Sequence, residues 1–117
     1  VLPNLKGKLD GTAIRVPTPN VSLIDFTFVS KIKTTPEKIN KIMINYSKLK
    51  KLKNIFSVNQ LPLVSIDFNH NIHSSIFDVT QTQVVNKNFC RVLSWYDNEW
   101  AFSNRMIDTM LKLKKLL

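Results

Sequence analysis

The sequence predicts an α+β fold: a mixed or antiparallel sheet with helices packed on one face, plus a long C-terminal helix. Three observations predict it. A run of period-two hydrophobicity from Val21 to Lys33 marks a half-buried strand, and further strand-like runs follow. Two stretches carry apolar residues at helical spacing, one in the middle and one at the end. Strands and helices do not alternate strictly, and long connections leave room for a mixed or antiparallel sheet.

Val1 to Gly11 holds two Gly, one Pro and an Asn, and reads as irregular chain with turns. Thr12 to Val16 is a short β-type run that ends at a Pro17-Thr18-Pro19 corner. Each proline fixes its own φ and pushes its predecessor toward extended geometry. From Val21 to Lys33 the pattern alternates, with Ile24, Phe26, Phe28 and Ile32 on one face and Asp25, Thr27, Lys31 and Lys33 on the other. Thr34-Thr35-Pro36-Glu37 is a helix start: a Thr cap, Pro at the first helical position, an acid in the first turn. Ile39, Ile42, Met43, Tyr46 and Leu49 follow as a helical stripe.

Leu61 to Phe68, Ser75 to Val85 and Phe89 to Tyr96 read as three further strands, the first two separated by the polar stretch Asn69 to His73. A polar turn then opens a helix running to Leu117, in which Met106, Met110, Leu113 and Leu117 form one row with Ile107 and Leu111 beside it. With no wider partner this row is expected to stand open to solvent, while Phe26, Phe28 and Val92 are expected inside the core.

The chain has 117 residues, enough for one domain and a core, and its 44% hydrophobic content supports one. No basic stretch followed by an apolar stretch opens it, and no apolar run approaches a membrane span. It reads as an internal piece of something soluble. The single cysteine, Cys90, forms no internal disulfide and fits a reducing compartment. Its place beside Phe89 and Val92 marks it as a small core residue.

The net charge is +9. Such a balance raises nucleic acid or an acidic surface as a partner. The lysines are spread along the chain, however, and no basic–aromatic interleaving accompanies them. Their clusters, Lys48-Lys50-Lys51-Lys53 and Lys112-Lys114-Lys115, crowd the end of the first predicted helix and the final turns of the last. Cations there offset the negative end of a helix dipole by roughly 0.3–1 kcal/mol each. The charge is therefore read as compositional rather than as a nucleic-acid surface.

His70 and His73, with Asp67, have metal-like spacing. They stand in a loop with no Cys nearby and no helix to fix their geometry, so no metal is assigned. Arg15, just before the rigid proline corner, offers a planar guanidinium suited to bidentate grip on phosphate, although spacing alone favours an edge-strand Arg in water. Asn98 offers an amide that both donates and accepts; Asp97 or Asn98 is also an ordinary cap for the helix that follows.

Three segments of wording carry a resemblance: Arg15-Val16-Pro17-Thr18-Pro19-Asn20-Val21-Ser22, His73-Ser74-Ser75-Ile76-Phe77-Asp78, and Ser94-Trp95-Tyr96-Asp97-Asn98-Glu99-Trp100-Ala101-Phe102-Ser103-Asn104-Arg105. Together they resemble the phosphorylating glyceraldehyde-3-phosphate dehydrogenases nearly end to end, and only the back half of that enzyme's catalytic domain. The resemblance implies that residues 1–117 are a C-terminal portion of that domain, with the NAD-binding domain and the catalytic Cys segment upstream. It implies that Arg15 binds phosphate, either of the substrate or as the inorganic ion, and that Asn98 holds the nicotinamide carboxamide of NAD. It implies no catalytic residue within this stretch, since Cys90 does not match the Ser-Cys-Thr-Thr-Asn segment and His73 is not the family's catalytic His. Glyceraldehyde 3-phosphate and inorganic phosphate as substrates, a homotetramer and a cytoplasmic setting follow by the same resemblance. The wording departs from Gly-Tyr-Ser-Asn-Arg at Ala101 and Phe102, which touches the geometry near the nicotinamide. A relative acting on erythrose 4-phosphate, a non-catalytic remnant and a basic nucleic-acid module stand as alternative readings.

Overall fold

A computed structural model describes residues 2–116. Six regular elements follow in order: β1 (Ser22–Val29), α1 (Pro36–Ser47), β2 (Phe56–Asn59), β3 (Ser75–Val85), β4 (Phe89–Tyr96) and α2 (Trp100–Lys114). The four strands form one sheet in the order β1-β4-β3-β2. β4 runs antiparallel to both neighbours, and β2 pairs parallel with β3, so the sheet is mixed. The α+β architecture predicted from the sequence is the one observed.

α1 starts where the sequence puts it. Thr35 is extended, and its hydroxyl accepts the Lys38 N–H at 3.4 Å, with Pro36 and Glu37 in the first turn. The helix lies against β2 and β3. Asn40 fastens it there: its Nδ2 donates to the Val79 carbonyl at 3.1 Å, and its Oδ1 accepts from Thr82 Oγ1 at 2.7 Å. The covered stripe is narrower than predicted. Ile39 and Met43 are half-buried, whereas Ile42, Tyr46 and Leu49 are exposed. Asn40, one turn from Met43, takes the central place because its amide meets the open backbone of β3.

Three strand readings need correction. Thr12 to Val16 forms no strand and is exposed throughout. Leu61 to Phe68 is not a strand: Pro62 lacks a ladder donor, and Asp67 Oδ2 accepts the Val64 N–H at 2.8 Å, closing a 3-10 turn at Ser65–Phe68. The strand absent from the sequence reading is β2, Phe56–Asn59, which ends just before Leu61. β1 ends at Val29, leaving Ile32 outside the sheet.

The apolar core is small. Val21, Phe68 and Ile76 are buried together, with Leu63 and Trp95 packed against them, and the Phe68 and Trp95 rings stack at 5.1 Å. Phe77, Cys90 and Leu93 are also buried. Phe26 is not: it is 43% exposed, and Phe28 and Val92 are only half-buried. The alternation along β1 is real, and the Phe26 and Phe28 rings stack at 5.4 Å. β1 is an edge strand, however, and α1 lies over β2 and β3, so nothing in the described residues covers that face.

Arg105 ties the first half of α2 to the body. Its Nη1 donates to the carbonyls of Asn54 and Ile72 and to Ser74 Oγ, while its Nε pairs with Asp108 at 2.7 Å. Beyond that point the expected row stands open: Met106, Met110 and Leu113, with Ile107 and Leu111, are all more than half exposed. Leu117, the last member of the row, lies outside the described residues. No described helix is long and apolar enough to cross a membrane.

Candidate functional site

The polar residues gather where β4 hands over to α2. Asp97, 2% exposed, is their centre. Its Oδ1 accepts the N–H groups of Trp100 at 2.7 Å and Glu99 at 3.1 Å, capping α2. Its Oδ2 accepts Asn20 Nδ2 at 2.7 Å and the His70 N–H at 2.9 Å. Burial alone would raise this carboxyl, but the Trp100, His70 and Glu99 backbone N–H groups and the Asn20 amide outweigh it and hold it below its ordinary 3.8. One carboxylate thus joins three segments: the loop before β1, the loop before β3, and the start of α2.

Val21 explains how that loop reaches it. Its φ is 74°, a region that β-branched residues rarely enter, at a cost on the order of 1–3 kcal/mol. Its side chain is held in the core while Asn20 and Ser22, on either side, both turn to the junction. Ser22 Oγ donates to Asn98 Oδ1 at 2.6 Å. Asn20 Nδ2 also reaches Asn69 Oδ1 at 2.7 Å. Across the junction the His70 and Trp100 rings meet at 4.7 Å.

Of the two capping candidates, Asp97 caps and Asn98 does not. Asn98 is exposed, its oxygen is held by Ser22, and its Nδ2 has no acceptor among the described residues. This leaves the Nδ2 amide of an exposed residue, its two N–H groups without a partner among the described residues and its oxygen held by Ser22. A ligand carbonyl, such as that of a carboxamide, fits such a donor. Arg15 is exposed and lies on irregular chain before β1, with no side-chain hydrogen bond or ion pair among the described residues. Nothing in the described residues links its side chain to Asn98.

The loop histidines are placed by contacts within and beside their loop. His73 donates its backbone N–H to Asn71 Oδ1 at 3.0 Å, and its Nδ1 lies 2.8 Å from the same oxygen. Burial and the nearby Arg105 charge both lower its pKa from 6.5. Asp67 serves the 3-10 turn, and no group of three or more His, Cys, Asp or Glu gathers among the described residues. Cys90 is fully buried, with Sγ 3.4 Å from the Asn88 carbonyl. Ala101 is buried in the first turn of α2, and Phe102 points to solvent.

Two roles were not assigned from sequence. Asp97 was read only as a cap, and its second oxygen's long-range partners carry no local signature. Arg105 closes the longest quoted segment, but its three oxygen partners lie 31 to 51 residues earlier.

The fold is a mixed four-stranded sheet whose last strand passes into α2 through a polar junction that leaves Asn98 exposed. Sequence comparison identifies its kind. Residues 1–98 match the family model for the glyceraldehyde 3-phosphate dehydrogenase C-terminal domain. The chain is similar to a glyceraldehyde-3-phosphate dehydrogenase of Xanthobacter flavus, 57% identical over 116 residues, covering 99% of this chain and 34% of the relative. It is 50% identical over 117 residues to the enzyme of that name from Cereibacter sphaeroides and 49% to that from Zymomonas mobilis, covering 100% of this chain and 35% of each relative. The chain belongs to the glyceraldehyde 3-phosphate dehydrogenase C-terminal domain family. It spans about a third of the length of these relatives.

Proposed function

We propose that residues 1–117 are the C-terminal portion of the catalytic domain of an NAD-dependent, phosphorylating glyceraldehyde-3-phosphate dehydrogenase, in which Asn98 anchors the nicotinamide carboxamide and Arg15 holds phosphate. The observation that carries this reading is the Asn98 amide: Ser22 takes its oxygen and Asp97 takes the capping duty, which leaves Nδ2 available. The donor fits the carboxamide oxygen of NAD. Asn98 would orient the ring and Arg15 would supply a charged grip on the phosphate of glyceraldehyde 3-phosphate or on the inorganic ion. NAD, when bound, takes up the hydride released as the aldehyde is oxidised. The acyl product passes to inorganic phosphate as 1,3-bisphosphoglycerate. A cytoplasmic homotetramer is the assembly this reading implies. The open face of β1, with Ile24 and Phe26 exposed, is consistent with burial against further protein.

The chemistry needs a nucleophile and a base from the remaining two-thirds. The one cysteine here is sealed in the core. The isolated 117-residue chain is therefore expected to form no NADH from glyceraldehyde 3-phosphate, NAD and phosphate. Absorbance at the NADH band checks this, and any enzyme-dependent rise refutes it.

In the full-length enzyme carrying this segment, Arg15→Ala is expected to raise the apparent KM for phosphate or the phosphorylated substrate roughly ten- to a hundredfold. That corresponds to losing one charge-assisted hydrogen bond, about 1.5–3 kcal/mol. Steady-state kinetics with each substrate varied in turn make the test. Unchanged values for both would leave Arg15 as an ordinary surface residue.

A further inference from the structure

The lysines after α1 need a second explanation. The helix-dipole account covers charges within the last turn. α1 ends at Ser47, so only Lys48, at its C-cap, stands in that range. Leu49 is extended, and Lys50–Leu52 forms a separate 3-10 turn, so the remaining lysines lie beyond the helix's own last turn. Lys50 and Lys53 turn with Lys48 onto one cavity of about 350 Å³, whose wall also includes Asn54, Ser57 and His73. No acidic side chain lines it. None of the three lysines forms an ion pair among the described residues, where the two pairs are Arg91–Asp25 and Arg105–Asp108.

The wall is built rather than incidental. Asn54 has a left-handed backbone, φ 62°, which turns the chain from the 3-10 segment into β2. Arg105 from α2 holds the Asn54 carbonyl and, on the other side of His73, those of Ile72 and the Ser74 hydroxyl. Its positive charge, shared with Asp108, thus lies behind the wall. Like charges gathered without a counter-charge repel, and an anion relieves them. Lysine ammonium groups on flexible stems suit phosphate as point charges, without the fixed fork that a single bidentate contact needs. The volume falls at the low end of small-molecule sites, about 300–1,000 Å³, and exceeds what one phosphate requires. Phe56 and His73 are the ring side chains on the wall, too few for the row of stacking platforms used for single-stranded nucleic acid.

We propose that this cleft binds a short oligophosphate anion, its phosphates held by Lys48, Lys50 and Lys53 with Asn54 and Ser57 as neutral donors. The site shares no residue with Arg15 or Asn98, and it stands or falls separately from the dehydrogenase reading.

Calorimetric titration of the chain with inorganic tripolyphosphate tests it. The triple variant Lys48→Ala, Lys50→Ala, Lys53→Ala is expected to weaken binding about tenfold or more. The variant Lys112→Ala, Lys114→Ala, Lys115→Ala removes the same charge elsewhere and is expected to change it less than about twofold. Replacing the cleft lysines by arginine keeps the charge and is expected to keep affinity within about threefold. Far-UV circular dichroism of each variant separates loss of binding from loss of fold. A nucleoside triphosphate competing on equal terms assigns recognition to the phosphates; one that fails to compete restricts the site to inorganic chains. Equal losses in both alanine sets would make the binding a property of net charge and overturn the site. So would an absence of binding by the wild type, or the same loss from Arg15→Ala.

Discussion

Asp97→Ala is expected to lower the unfolding free energy by about 3–5 kcal/mol, the range for removing one partner of a buried charged network. The N–H groups of His70, Glu99 and Trp100 lose their Asp97 acceptor at once, and the Asn20 amide keeps only Asn69. Part of the loss is the α2 cap, about 0.5–2 kcal/mol in itself. The rest falls on Val21, whose left-handed backbone is sustained only while Asn20 and Ser22 are held at the junction. Urea unfolding gives the number. Asp25→Ala is the control, because its pair with Arg91 is exposed and screened by solvent, and its loss should change stability little. If the two variants lose equal stability, Asp97 is not the hub described.

The pH dependence has a definite sign. The Asp97 carboxyl is held below 3.8 in the folded chain, so the unfolded chain binds the proton first as pH falls. The stabilisation is whole above about 3.8 and is lost as pH drops through the folded value. His73, lowered from 6.5 by burial and by Arg105, acts in an earlier window with the same sense: stability declines as pH falls below 6.5 toward its folded value. In Asp97→Ala the step below 3.8 should shrink to what Asp25 and Glu37, also lowered, contribute, while the one below 6.5 remains.

Local chemistry made much of this fold legible. The cap at Thr35 with Pro36 places α1 to the residue, and the strand-like runs Ser75 to Val85 and Phe89 to Tyr96 match β3 and β4, because each signal lies within a few positions of what it governs. β2 was missed because four residues, Phe56 to Asn59, cannot display a period, and Ile55-Phe56 reads equally as the end of the preceding turn. The 3-10 turn at Ser65–Phe68 was taken for strand because Leu61, Leu63 and Val64 look β-like, whereas the deciding bond is from Val64 N–H to a side chain. The burial of Phe26 was misjudged for a different reason. Alternation shows that a face is apolar, not that the chain itself covers it. At the junction, the motif marked Asn98, but its freedom from capping emerges only when Asp97 is seen to span residues 20, 70, 99 and 100.

The same distinction between an apolar face and a covered one governs α2. Arg105 fastens the helix near its start, and Ala101 is its one buried residue. Downstream, Met106, Ile107, Met110, Leu111 and Leu113 turn to solvent, Met110 being 69% exposed. A row this wide exceeds a single contact and amounts to a contiguous apolar patch of the kind that drives association. The +9 net charge opposes aggregation over long range, but it is screened beyond about 8 Å at physiological salt, whereas apolar contact is not. The isolated chain is therefore expected to self-associate, and more strongly as salt is raised. Sedimentation velocity over a concentration series measures it. Met106→Gln with Met110→Gln should shift the population to monomer, since fully burying each methionine is worth about 1.5–3 kcal/mol. Supplying the remaining two-thirds of the enzyme should have the same effect by covering the row. A wild-type chain that stays monomeric at every concentration and salt would show that this helix face is stable in water, and that the exposed row does not seek a partner.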